Sequence, residues 1–147
     1  MFLVKTTAAV SEIWGDMLNL NEGTFRQFVP RVLVVDDESD VLFVMEQFLQ
    51  KEGLKVLTAK SGEYALEILR VLKMDLVLLD IAMPGMDGIE TLREIKKIDP
   101  NLMTVMVTAN GGSEKIVEAF NSGAYDYIIK PLNFRSFREG VISKLMQ

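Results

Sequence analysis

Three acids, one hydroxyl and one amine stand just past short, mostly apolar runs in this sequence. Asp36 and Asp37 come after Arg31-Val32-Leu33-Val34-Val35, Asp80 after Leu76 to Leu79, Thr108 after Leu102 to Val107, and Lys130, with Pro131 behind it, after Tyr125 to Ile129. If these runs are strands of one parallel sheet, the residues just beyond them share the crevice at the strands' carboxyl ends, where such sheets bind ligands. Carboxylates gathered there repel one another and hold their protons more tightly unless a cation lies among them. Hard oxygen donors without nitrogen or sulfur suit magnesium, which keeps several waters and binds through one or two carboxylates plus phosphate oxygens. One carboxylate is then left to act as a nucleophile toward a phosphoryl group. Asp80 fits that role, because the Gly- and Pro-containing loop Met83-Pro84-Gly85-Met86-Asp87-Gly88 follows and can admit a donor. Lys130 can offset charge on the transferred oxygens, and the Thr108 hydroxyl can donate to one of them.

Each of these residues has a plainer reading when taken singly. Asp36-Asp37 could cap a helix, Asp80 could be a turn residue, Thr108 and Tyr127 could be ordinary strand residues, and Lys130 a solvated charge. Their shared position at strand ends is what argues for chemistry.

Composition narrows the choices. The 147 residues fit one domain. At 49% hydrophobic and 25% charged, the chain has the balance of a soluble globular protein. Histidine and cysteine are both absent, which removes the commonest general base, thiolate metal sites and any disulfide framework. The net charge of −5, with no Lys/Arg cluster, argues against direct nucleic-acid binding. No stretch has signal-peptide character or the roughly 18 apolar residues of a membrane span, so membrane insertion is not expected and a cytoplasmic location follows by default.

The elements that must position these groups recur from residue 31 onward. Short apolar runs alternate with stretches of helical spacing, the pattern of five β-α units around a parallel sheet. Ser39 or Asp37 can cap the first helix, with Val41, Leu42, Met45, Phe48 and Leu49 at helical spacing and Gly53 at its end. Leu54 to Ala59 reads as strand two, and Ser61 opens a helix with Ala65, Leu66, Ile68, Leu69 and Leu72 on its apolar face. After strand three and its loop, a helix carries Ile89, Leu92, Ile95 and Ile98 on one side and stops at Asp99-Pro100-Asn101. Helix four spans Ser113 to Phe120, and helix five Phe134 to Leu145. Residues 1–30 stand outside this rhythm as an extension. Val10, Ile13, Trp14, Met17 and Leu18 in it have the spacing of one short amphipathic helix, which Gly15 weakens.

The set formed by Asp36-Asp37, Asp80 with Met83-Pro84-Gly85-Met86-Asp87-Gly88, Thr108-Ala109, and Gly123-Ala124-Tyr125-Asp126-Tyr127 before Lys130-Pro131 resembles the receiver domain of two-component response regulators. The motifs occur in that family's order and spacing over about residues 30–145, so the domain is expected to occupy 31–147. The resemblance implies an α/β, flavodoxin-like (βα)5 fold, doubly wound, with a five-stranded parallel sheet of order 2-1-3-4-5 and helices on both faces. It implies that Asp80 is phosphorylated from a phosphohistidine on a histidine kinase or histidine phosphotransfer protein. Mg2+ would lie on Asp37, Asp80 and the backbone carbonyl of Ala82, with Asp36 assisting partly through water. Thr108 and Tyr127 would move together afterwards. That movement would reshape the face made by helix four, strand five and helix five for a downstream partner or a homodimer. The Lys130-Pro131 bond is expected to be cis. Such a domain acts alone or as a fragment that lacks its effector.

Two other function classes compete. A haloacid-dehalogenase-like phosphotransferase also uses a strand-end Asp with magnesium, but it needs a second acid two residues after the nucleophile, where this chain has Ala82. Slow self-dephosphorylation, rather than enzymatic turnover, is therefore expected. A phosphorylation-independent interaction module of the same fold would have lost an acid or the lysine, and none is lost. Flavin binding on this fold is disfavoured, because acids follow strand one where a phosphate-binding loop would be needed.

Overall fold

The computed structural model describes residues 28–109 and 112–147. The amphipathic stretch expected around Val10 to Leu18 lies outside the described residues. Five parallel strands, β1 (Arg31–Val35), β2 (Lys55–Ala59), β3 (Leu76–Leu79), β4 (Met103–Thr108) and β5 (Asp126–Ile129), form one sheet in the order β2-β1-β3-β4-β5. Between them run α1 (Ser39–Lys51), α2 (Gly62–Val71), α3 (Gly88–Ile98) and α4 (Ser113–Asn121). The closing helix begins at Phe134–Phe137, widens to a π-helical stretch over Arg138–Ile142 and ends in Ser143–Leu145, together forming α5.

Two apolar layers follow from the alternation of side chains along the strands. Leu33, Val35, Val77, Leu79 and Met106 face a core with Leu66, Leu69, Ile89, Leu92 and Ile95. Val32, Val34, Leu76, Leu78, Val105 and Val107 face a second core with Leu42, Met45, Leu49, Phe137 and Val141. Strands covered on both sides can be apolar at every position, which is why β1 and β3 read as unbroken runs. On the second face Phe48 stacks on Phe134 with ring centroids 4.4 Å apart, joining α1 to α5.

Helix ends obey local chemistry, with corrections to the expected caps. Ser61 Oγ accepts from the Tyr64 N–H at 3.1 Å and opens α2. Neither Asp37 nor Ser39 caps α1. Glu38 holds the cap position without a side-chain bond, and its own N–H donates to Asp36 Oδ1 at 2.9 Å. Gly53, at φ 85°, ends α1 in a Schellman arrangement, with its N–H on the Gln50 carbonyl and that of Leu54 on the Leu49 carbonyl. Ile98, expected on the apolar side of α3, is instead 37% exposed, because the helix stops one residue later at Asp99. β4 begins one residue later than expected and includes Thr108.

Candidate functional site

The hydrogen-bond ladder runs one residue beyond the strands and so fixes the backbone of each candidate residue. The Asp36 N–H donates to the Ala59 carbonyl at 3.1 Å, Asp80 to Val35 at 3.0 Å, and Lys130 to Thr108 at 2.8 Å. Strand register thereby sets Asp36 level with Asp80, and Thr108 and then Lys130 each one residue further along, all at the carboxyl ends of the strands. Asp36, Asp80 and Thr108 are 2%, 5% and 1% exposed, whereas Asp37 is less deeply buried. Beneath the two buried acids lies an apolar floor of Val34, Val41, Met45, Leu78 and Val107 around a void of about 10 Å3.

One carboxylate oxygen from each of Asp36, Asp37 and Asp80 lies within 4.8 Å of the others. Lys130 Nζ sits 2.7 Å from Asp36 Oδ2 and 3.7 Å from Asp80 Oδ2, so its tighter partner is Asp36. Burial pushes the Asp80 carboxyl above its ordinary range and the neighbouring Asp36 charge pushes the same way. Lys130, the Ala82 N–H and the Thr108 hydroxyl pull it back only in part. At Lys130 burial works against the charged form. The hydrogen bond to Asp36 and the charges of Asp80, Asp36 and Glu38 outweigh it, and the ammonium is held more firmly than usual. Burial, and then the Asp80 charge, raise the Tyr127 phenol. That ring is half-buried against the first core.

Three acids facing one lysine leave a surplus of negative charge in a largely buried cleft. Among the described residues this is the group arranged to hold a metal ion, and its all-oxygen donor set fits a hard divalent cation such as Mg2+. The Lys130-Pro131 peptide is cis.

Two contacts beside the site go beyond the pattern read from the sequence, in which Gly88 figured only as the end of the loop after Asp80 and Glu63 not at all. A Cβ on Gly88 would stand 2.1 Å from the Asp80 carbonyl oxygen and 2.6 Å from Ile81 Cα, so only glycine lets α3 begin against the Asp80 backbone. The Asp87-Gly88 pair at the helix start was the available signal. Glu63, on α2, accepts from the Met86 N–H at 3.0 Å across 23 residues of sequence, and no local pattern announces that contact.

The sequence profile of the response regulator receiver domain matches residues 32–142. This chain belongs to the family of response regulator receiver domains of two-component systems. It is 37% identical over 111 residues to sporulation initiation phosphotransferase F of Bacillus subtilis, covering 76% of this chain and 90% of that protein. It is 46% identical over 103 residues to the transcriptional regulatory protein ZraR of Klebsiella oxytoca, covering 70% of this chain but 23% of that one. The chain thus spans about a quarter of the ZraR relatives it matches. Among solved structures it resembles the response regulator TrrA of Thermotoga maritima in complex with Mg2+–BeF. That match has TM-score 0.73 and 35% identity, over 80% of this chain and 99% of that one. No helix among the described residues is long and apolar enough to cross a membrane.

Proposed function

We propose that residues 31–147 act as a phosphoacceptor switch, with residues 1–30 as an extension, and that Asp80 takes a phosphoryl group from a phosphohistidine on a histidine kinase or histidine phosphotransfer protein. The observation that carries this reading is the gathering of three carboxylates within 4.8 Å beside one lysine, with Asp80 buried at the end of the central strand. Asp36, Asp37, Asp80 and the backbone carbonyl of Ala82 would hold Mg2+, which when bound supplies positive charge that neutralises incoming phosphoryl oxygens. A carboxylate oxygen of Asp80 attacks phosphorus. The new O–P bond forms as the N–P bond to the donor imidazole breaks, and the imidazole leaves with the bonding pair and takes up a proton. The relatives support this direction of chemistry, since one is named a phosphotransferase and another was solved with Mg2+–BeF.

Lys130, already 3.7 Å from Asp80 Oδ2, then pairs with a phosphoryl oxygen. The Thr108 hydroxyl, bonded to Asp80 at rest, follows the added negative charge. The space it leaves admits the half-buried Tyr127 ring, so one charge change biases two packings. Val117, Phe120, Tyr125 and Ile129 are exposed on α4, the α4–β5 turn and β5. They offer an apolar α4-β5-α5 face for a downstream partner or a second copy of the chain. Ala82 provides no acid to activate water, so the acyl phosphate is lost slowly rather than turned over. Incubation with acetyl phosphate and Mg2+, read by intact mass, tests this. One phosphoryl adduct is expected on the wild type and none on Asp80→Asn, and an equal adduct on both would overturn the assignment.

A further inference from the structure

We propose that Glu63 is a positioning residue for the phosphorylation site, acting through the loop that follows Asp80. This inference rests on the reading of Asp80 as the acceptor. Met83-Pro84-Gly85-Met86, with Gly85 at φ 74°, has the residue pattern of a type II turn, proline second and a left-handed glycine third. In a closed turn of this kind the N–H of the fourth residue bonds the carbonyl of the first. Here the Met86 N–H donates instead to Glu63 Oε1 at 3.0 Å, and the turn stays open. The same carboxylate lies over the Gly85 backbone, 3.5 and 3.7 Å from where a Cβ would stand.

The Glu63 side chain is exposed, but the backbone that carries it is fixed from behind. A Cβ at the preceding Gly62 would stand 2.1 Å from Thr91 Oγ1, so the first turns of α2 and α3 are in close contact. Thr91 is fully buried, and its hydroxyl donates to the Asp87 carbonyl at 2.8 Å. The loop's far end is tied by the Gly88 N–H to the Ile81 carbonyl at 2.8 Å. Between these anchors lies Ala82, whose N–H bonds the Asp80 carboxylate. Without the Glu63 acceptor the Met86 N–H is released to the Met83 carbonyl or to water, the turn closes or loosens, and Ala82 moves with it. Glu63 thus controls, from another helix, the backbone that borders the acceptor and the metal.

Glu63→Ala removes the acceptor and the charge, whereas Glu63→Gln removes the charge and keeps an acceptor oxygen. In the unphosphorylated full chain, amide exchange at Met86 and a Mg2+ titration read the loop directly. The labelling rate with acetyl phosphate, relative to wild type, reads the consequence. The alanine variant is expected to exchange faster at Met86, to bind Mg2+ about tenfold more weakly, in the range seen when a partner behind a metal ligand is removed, and to label more slowly. The glutamine variant should stay close to wild type in all three, and thermal unfolding verifies that both variants fold. Wild-type Mg2+ affinity in Glu63→Ala would overturn the proposal, as would an equal loss in Glu63→Gln. Failure of the wild type to label at Asp80 would sink the acceptor assignment instead, and the two metal-free and titration readouts keep the cases apart.

Discussion

Replacing Asp80 by Asn should stabilise the metal-free protein. The carboxylate is 5% exposed, and its oxygen shares Lys130 with Asp36. At an effective dielectric constant of about 20, the Lys130 attraction at 3.7 Å amounts to about 4.5 kcal/mol, and the Asp36 repulsion within 4.8 Å to at least about 3.5 kcal/mol. The two nearly cancel, so burial decides the sign and the charged form is disfavoured in the folded state. Between the ordinary value of 3.8 and the raised folded value, the folded state holds more protons than the unfolded one. Stability contributed by Asp80 therefore falls as pH rises through that window and stays lower above it. Allowing for an amide NH2 set against the Lys130 ammonium, the net gain in Asp80→Asn is about 1–2 kcal/mol at neutral pH. For a domain of this size that raises Tm by roughly 4–8 °C. Thermal unfolding followed by circular dichroism in EDTA measures it, and repetition with Mg2+ should narrow the gap, because the ion binds the folded wild type. The gap should also narrow toward acid pH. A variant less stable than wild type in EDTA, or a gap that Mg2+ leaves unchanged, would mean that the buried Asp80 charge does not destabilise the metal-free fold.

Gly88→Ala should destabilise by about 3 kcal/mol, since its methyl meets the Asp80 carbonyl at 2.1 Å with backbone on both sides. Gly140→Ala, whose methyl meets nothing within 4 Å, should stabilise by about 0.5–1 kcal/mol; urea unfolding compares the two. Lys130→Ala leaves Asp36 and Asp80 without their cation and should cost about 3 kcal/mol in EDTA. In the same variant Mg2+ should restore part of that stability, while labelling by acetyl phosphate slows at least about tenfold. Thr108→Val keeps the branched shape at a 1% exposed position. It should still be labelled at Asp80, yet lose the change in the Tyr127 ring signals that NMR detects on phosphorylation of the wild type.

The legible parts of this fold are those that pack on both sides. β1 and β3 announce themselves because Val32 to Val35 and Leu76 to Leu79 are buried on alternate faces at every position. β5, with Asp126 and Ile129 exposed, is an edge strand and reads less sharply. The order of strands has no periodic signature, and it came from the resemblance rather than from spacing. Asp36, Asp37, Asp80, Thr108 and Lys130 could be singled out because an apolar run precedes each of them. Their mutual preferences could not, since the choice of Asp36 over Asp80 by Lys130 depends on side-chain reach across the sheet. The α1 cap fell to Glu38 because the Asp36 carboxylate turns back onto its N–H, a contact that competes with an ordinary cap. The π-helical stretch of α5 has no sequence sign beyond Gly140.

Chemical mapping of the acyl phosphate shows whether Asp80 carries the phosphoryl group. After labelling with acetyl phosphate and Mg2+, borohydride reduces an aspartyl phosphate to homoserine, which peptide mass spectrometry locates by residue. Homoserine is expected at position 80, with Asp36 and Asp37 unchanged. Homoserine at 36 or 37, or labelled protein that yields none at position 80, would contradict the assignment of Asp80 as acceptor.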